Sequence, residues 1–350
     1  MTVVVLVDSR HPNAGAIGRA AACLRAGGLV AFPTETVYGL GVHALDGGAV
    51  KRLFEAKGRP SSDPLIVHVA STVQARALSA RFSPPADVLA ARFWPGPLTL
   101  VLPKAAVVPD EVTAGLASVA LRVPSHPVAL ALLVAAGVPV AAPSANLFSR
   151  PSPTRAAHVL TDLDGRIDMV LDGGPTTVGV ESTVVDLSGD VPRLLRPGGI
   201  SREALVAVLG STRLEEAGPV YAGPQLSPGL LERHYSPRAP LTAYEGLASR
   251  VLERMRVDVM AAQAEGRRVG LLVFDGNEAL GEMQGVVMAR SLGAMSDLDA
   301  AATHLYAALR DLDASGADVI LAHGFDDVRG LGAALRDRLR RAAAGHVVTC

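Results

Sequence analysis

The sequence predicts an α/β protein in two unequal parts. Three observations carry that expectation. Short β-rich runs alternate with helical patterns from Val3 onward, a Pro/Gly-rich stretch follows Gly210, and a second, shorter round of alternation comes after it. The length agrees, because 350 residues exceed what one hydrophobic core usually organises. Hydrophobic residues make up 49% and charged residues 19%, so a large buried core is expected and disorder is not.

Taken in order, Val3–Val7 reads as a strand and Ala14–Ala26 as a helix stopped by Gly27 and Gly28. Leu29–Phe32 is a strand that runs into a turn at Pro33, Gly48–Ala56 a helix, and Leu65–Val69 a strand. Further strands are expected at Leu98–Leu102, Val119–Val123, Val138–Ala142, Met169–Leu171 and Thr183–Leu187, with helices near 84–92, 126–136 and 154–160. Several strands lack an intervening helix, which predicts a mixed rather than purely parallel sheet. Residues 211–239 hold Pro219, Pro224, Pro228 and Pro237 with Gly218, Gly223 and Gly229, which is linker chemistry. Beyond it, Val269–Phe274 and Val319–Ala322 read as strands. Ser296 with Asp299 is expected to cap a helix through Leu312, and 330–344 forms an arginine-rich amphipathic helix. The expected domains are 1–210, a linker 211–239, and 240–350.

Composition excludes several classes. A net charge of -1 argues against a protein built to coat nucleic acid. Two cysteines, Cys23 and Cys350, cannot build a disulfide framework or a CxxC zinc pair, and the nine histidines are scattered. The first residues lack the basic start of a signal peptide. The longest apolar stretch, Val128 to Ala142, is interrupted by Gly137 and Pro139, so a cytoplasmic protein without a membrane span is expected. No GxxxxGK[ST] is present, and Gly39-x-Gly41-x-x-Ala44 reads as a turn rather than a dinucleotide fingerprint.

Three clusters carry chemistry. PTETVYGLG, Pro33 to Gly41, puts two threonine hydroxyls, a carboxylate and a phenol where a buried strand ends. KGRPSSDPLIVHV, Lys57 to Val69, offers a point-charge ammonium and a planar guanidinium suited to phosphate or carboxylate; both follow a helix, which Pro60 prevents from continuing. Taken alone, those two cations are also what a helix C-terminus favours. PVAAPSANLFSRPSPT, Pro139 to Thr154, runs an apolar strand into Ser144, Asn146, Ser149 and Ser152, an anion cradle without a GxSxG nucleophile elbow. VESTVVDL, LLRPGGIS and RHYSP follow.

In that order these motifs resemble the YrdC-type threonylcarbamoyl-AMP synthases, in the long form with a C-terminal extension. The resemblance runs from about Gly27 to Ser201 and resumes at SPGLLERHYSP and at GLGAALRDRLRRAA, Gly330 to Ala343. It implies a twisted open mixed sheet with a concave active-site face, plus a smaller Rossmann-like C-terminal domain. It also implies condensation of L-threonine, bicarbonate or CO2, and ATP into threonylcarbamoyl-adenylate and pyrophosphate. A downstream tRNA threonylcarbamoyl transferase consumes the product; tRNA is not needed for this step, and no membrane is involved. ATP is implied as substrate with Mg2+, with no tightly bound organic cofactor and no metal held by the protein alone. Lys57, Arg59, Ser144 and Asn146 are implied as the catalytic set. The implied threonine pocket is Thr36, His68, Arg122, Ala142 and Ser182, with Arg122 forked onto the α-carboxylate. The implied ATP side is Lys57, Arg59, Asp63, Ser118, Ser144, Asn146, Ser152, Arg196 and Tyr235. Tyr235 makes the linker, residues 225–238, a lid.

Two departures stand out. The family usually has Asn-Pro-Leu where this chain has Asp63-Pro64-Leu65, and a Ser-Gly pair where it has Phe148-Ser149. A carboxylate near ATP repels phosphate unless it faces ribose or magnesium, and serine lacks glycine's freedom at positive φ. Two other classes compete. A carbamoyltransferase-like maturation factor needs acylphosphatase and zinc-finger segments this chain lacks. A non-catalytic RNA-binding module is disfavoured by the near-neutral charge and the lack of basic–aromatic interleaving.

Overall fold

The computed structural model describes residues 1–216, 226, 227, 229 and 234–350, so part of the expected linker, including Pro219, Pro224 and Pro228, lies outside the described residues. The chain divides into two units, Met1–Phe148 with Ser152–Leu230, and Ser149–Pro151 with Leu231–Cys350.

The first unit is built on one mixed sheet. Its elements are β1 (Val3–Leu6), α1 (Ala14–Arg25), β2 (Val30–Pro33), β3 (Tyr38–His43), α2 (Gly47–Lys57), β4 (Ile66–His68), α3 (Thr72–Ala77), α4 (Pro84–Phe93), β5 (Leu98–Pro103), α5 (Asp110–Thr113), β6 (Ser118–Arg122), α6 (Pro127–Ala136), β7 (Val140–Ala141), α7 (Ala156–Leu163), β8 (Met169–Asp172), β9 (Thr183–Asp186), β10 (Arg193–Arg196), α8 (Arg202–Leu209) and β11 (Glu215–Glu216). The described strands pair in the order β1-β8-β2-β3-β7-β4-β6-β5-β9-β10-β11. Antiparallel neighbours such as β2 with β3 and β5 with β6 alternate with parallel ones such as β4 with β6.

One expectation is corrected here. Gly39 and Gly41 are not a turn but part of β3, antiparallel to β2, with Phe32 opposite Gly39 and Val30 opposite Gly41. Successive strand residues face opposite sides of a sheet. Tyr38, Leu40 and Val42 join Ala31 in one core, while Val30, Phe32 and Val140 pack on the other side with α1 and α6. A Cβ on Gly41 would stand 2.8 Å from both Phe32 Cε1 and Val140 Cγ1, so the glycine makes room for those two side chains.

The second unit holds β12 (Leu241–Glu245), α9 (Ala248–Ala264), β13 (Val269–Val273), β14 (Val286–Ser291), α10 (Leu298–Ala314), β15 (Val319–His323), α11 (Leu331–Ala342) and β16 (Val347–Thr349). These five strands are all parallel, in the order β14-β13-β15-β12-β16. Parallel pairing requires crossovers, and α9, α10 and α11 provide three of them. Tyr244, Val251, Met255, Leu271 and Leu321 form its core. The cap of α10 is Asp297, whose carboxylate accepts the Ala300 N–H at 3.0 Å, rather than Ser296. No helix among the described residues is long and apolar enough to cross a membrane.

Candidate functional site

The cations of the second motif owe their place to a helix end. Lys57 is the last residue of α2, and Gly58, at φ 62°, stops the helix in the left-handed conformation two residues before Pro60. The Arg59 N–H then bonds the Phe54 carbonyl at 3.0 Å, closing the turn. Lys57 is buried, and its ammonium donates to the carbonyls of Ser144 and Asn146. The same loop is tied down by the Ala145 N–H on the Tyr38 carbonyl and the Phe148 N–H on the Lys57 carbonyl. Lys57 therefore meets Ser144 and Asn146, 87 and 89 positions away in sequence, at one turn.

Arg59 and Asp63 form a second buried group. Arg59 Nη2 lies 2.9 Å from the Asp63 carboxylate and donates to the Pro64 carbonyl at 3.0 Å. Burial pushes the Asp63 carboxyl above its ordinary range, against the pull of Arg59, Lys57 and Arg196. Those three named cations place Lys57, Arg59, Asp63 and Arg196 in one electrostatic neighbourhood. Asp63 thus faces Arg59.

Arg196, at the end of β10, donates twice to the Ser182 carbonyl and once to its hydroxyl, at 3.2, 3.0 and 3.2 Å. The Ser182 hydroxyl also meets Thr99 Oγ1 at 2.8 Å. The backbone permits this approach because residue 198 is glycine: a Cβ there would sit 2.4 Å from the Glu181 carbonyl oxygen and the Thr183 nitrogen. Ser152, fully buried, donates to Glu181 Oε1 at 2.5 Å.

The third group centres on Arg122, at the end of β6. Its Nη2 lies 2.7 Å from Glu35 Oε1, its Nη1 donates to Thr36 Oγ1 at 3.0 Å, and its Nε donates to the Gly96 carbonyl at 3.3 Å. Thr36 Oγ1 is linked to Thr34 Oγ1 at 2.8 Å, and Glu35 Oε2 accepts the Ser125 N–H at 3.1 Å. Burial opposes the charge on Glu35, but Arg122 outweighs it and holds the carboxyl below its ordinary range. His68 stands beside Arg122 in the β4–β6 register, with its ring edge-on to Phe32. Burial first, and then Arg122, drive its pKa down to about 3, so the imidazole is neutral near pH 7. The Ala142 N–H bonds the Ile66 carbonyl at 2.9 Å on the neighbouring strand.

Ser118 and Tyr235 complete the expected set. Ser118 opens β6 while Arg122 closes it, so about 13 Å of strand separates them. Tyr235 belongs to the second unit, where its ring lies 5.5 Å from that of Tyr306 and under the Arg338 guanidinium. Ser149 also falls in the second unit, with φ 66°, so the serine adopts the left-handed backbone that glycine favours. Within the expected lid, residues 225, 228 and 230–233 lie outside the described residues.

Three partners went unassigned in the sequence: Glu35, Glu181 and Thr99. Both glutamates sit inside motifs that the sequence marks, but nothing there shows that they serve Arg122 and Ser152. Thr99 lies in an apolar run that reads as core.

Comparison with known proteins adds to this geometry. Residues 22–198 match the family model described as Telomere recombination, and residues 200–344 match that described as Threonylcarbamoyl-AMP synthase, C-terminal domain. A threonylcarbamoyl-AMP synthase of Bacillus subtilis is 46% identical, the match covering 99% of this chain and 98% of the relative. One from Pyrococcus abyssi is 44% identical, with 99% of each chain covered. The crystal structure of Pyrococcus abyssi Sua5 complexed with L-threonine superposes with a TM-score of 0.92 at 43% identity, covering 100% of both chains. The Escherichia coli protein YciO, at 24% identity and a TM-score of 0.51 over 57% of this chain, shares the fold alone.

Proposed function

The chain belongs to the threonylcarbamoyl-AMP synthase family, and from that premise we propose that its first unit condenses L-threonine, bicarbonate or CO2, and ATP. It is an ATP-using, adenylyl-transferring enzyme. The observation that carries the division of labour is the pair of separate buried cation groups, Arg122 with Thr36 and Lys57 with Arg59 and Arg196.

Arg122 suits the α-carboxylate of threonine. A guanidinium has five N–H groups. Two donate to Thr36 and Gly96, and Nη2 is ion-paired with Glu35 without a hydrogen bond to it, which leaves N–H groups on both Nη atoms for a bidentate contact. Glu35 balances part of the arginine charge, and the neutral His68 adds none. Thr36, Ala142 and Ser182 complete the amino-acid pocket.

The threonine amine and bicarbonate give N-carboxy-threonine and water. A carboxylate oxygen of that carbamate then attacks the α-phosphorus of ATP; the bond to the β-phosphate oxygen breaks and pyrophosphate leaves. Lys57, Arg59 and Arg196 suit the negative charge that spreads over the phosphates in this displacement. Ser144, Asn146, Ser152, Asp63 and Ser118 make up the rest of the proposed ATP side in the first unit. Ser182, bonded to Arg196, joins the two halves and supports an arrangement that holds both reactants in line. Magnesium supplies charge neutralisation on the triphosphate. It would enter as a companion of ATP, held mainly by the triphosphate oxygens. The product serves a tRNA threonylcarbamoyl transferase.

The test is an incubation with labelled threonine, bicarbonate and ATP. A threonine-dependent adenylate with stoichiometric pyrophosphate is expected, and pyrophosphate release independent of threonine would defeat the reading.

A further inference from the structure

The second unit includes three residues, Ser149–Pro151, that lie in sequence between Asn146 and Ser152. Each of the three is held by its own bond within that unit. The Ser149 carbonyl accepts the Ser236 N–H at 2.7 Å. Arg150 Nη2 pairs with Asp313 Oδ2 at 2.9 Å. The Pro151 carbonyl accepts from Arg310 Nη2 at 2.5 Å. Arg310 and Asp313 are three residues apart on α10, so they share one helix face. Both are buried, and the other oxygen of Asp313 accepts the Arg238 N–H at 2.6 Å.

Burying an arginine and an aspartate is costly unless both are well bonded. Here each side chain spends one of its bonds on a short loop with no apolar core of its own. Ser149 holds φ 66°, which a serine keeps only where its surroundings fix it. Anchors on three consecutive residues leave that loop little conformational freedom. Asn146 precedes the anchored tripeptide by three residues and Ser152 follows it directly. We propose that Arg310 and Asp313 are positioning residues for the ATP side: by fixing Ser149–Pro151 they set where Asn146 and Ser152 stand, and so the enzyme's affinity for ATP. This inference rests on the assignment of Asn146 and Ser152 to ATP.

The experiment uses the full-length enzyme with Arg310→Met, Asp313→Asn, Arg150→Ala and the Arg150→Ala/Asp313→Asn double variant. The KM for ATP, the KM for threonine, kcat and the melting temperature are measured for each. The expected result is a rise of about tenfold in the KM for ATP, with the KM for threonine within about twofold of wild type. The double variant should be no worse than the poorer single variant, because both remove one interaction. An unchanged KM for ATP in folded variants overturns the proposal. So does a parallel loss for both substrates that follows the fall in melting temperature, because that is what a merely structural role gives. If Asp313→Asn fails to fold, Arg150→Ala decides the matter by the same criteria. A wild-type enzyme that makes no threonine-dependent adenylate would refute the functional reading instead; normal wild-type activity with indifferent variants refutes only this one.

Discussion

Removing the carboxylate of Glu35 tests the Arg122 centre directly. The pair is 2.7 Å apart, with side chains only 4% and 8% exposed, so breaking it leaves a buried guanidinium without its counter-charge. Losing one partner of such a pair costs about 3–5 kcal/mol. Glu35→Ala therefore lowers the melting temperature of the first unit by roughly 6–20 °C, at about 2–4 °C per kcal/mol for a unit of this size. Glu35→Gln keeps an oxygen for the Ser125 N–H and loses mainly the charge. Its cost is about 2 kcal/mol, or roughly 4–8 °C. The pH dependence has a definite sign. Glu35 titrates lower when folded than its unfolded value of 4.5, so its stabilisation is full above 4.5 and fades as pH falls through the folded value. Glutamine has no such dependence, so the wild-type and Glu35→Gln curves should converge as the pH drops below 4.5. Calorimetry at pH 7 and across the acid range measures both effects. If Glu35→Ala melts within roughly 2 °C of wild type at pH 7, the ion pair does not hold Arg122, and the account of the pocket fails.

Arg59→Ala should cut kcat/KM by about 2–4 kcal/mol of transition-state stabilisation, some 30- to 1,000-fold, in adenylate formation; near-normal turnover would remove Arg59 from the site. Lys57→Ala should lose activity similarly and also melt earlier, because the ammonium holds the Ser144 and Asn146 carbonyls as well, a point urea unfolding can check. Threonine should be preferred over valine by about two orders of magnitude or more, since a pocket built to bond a hydroxyl leaves polar groups unpaired with valine; equal use in the pyrophosphate assay would contradict Thr36 and Ser182 as its lining. Gly41→Ala should destabilise by about 1–3 kcal/mol through contact with Phe32 and Val140, read as a lower denaturation midpoint at unchanged slope.

Local sequence determined much of this protein. Short β-rich runs located β1, β2 and β4 to β9 within a residue or two but missed β3, because a buried strand announces itself by its own apolar residues whatever its partner. The lack of helices between some strands pointed to a mixed sheet, and the second alternation to a separate α/β unit. The site motifs were visible as polar residues at strand ends. What sequence could not reveal was pairing. Gly39 and Gly41 read as a turn because glycine is a turn former, and only the presence of Phe32 and Val140 across the sheet explains them as strand residues. Asp63 stood in the sequence as a carboxylate without a visible partner, and the fold pairs it with Arg59. Glu35 and Arg122 are separated by 87 positions, and Arg150 and Asp313 by 163, so no local pattern joins them. Tertiary structure decided these contacts, because a charge's partner depends on which strands lie side by side, and strand order is settled by long-range packing rather than by local propensity.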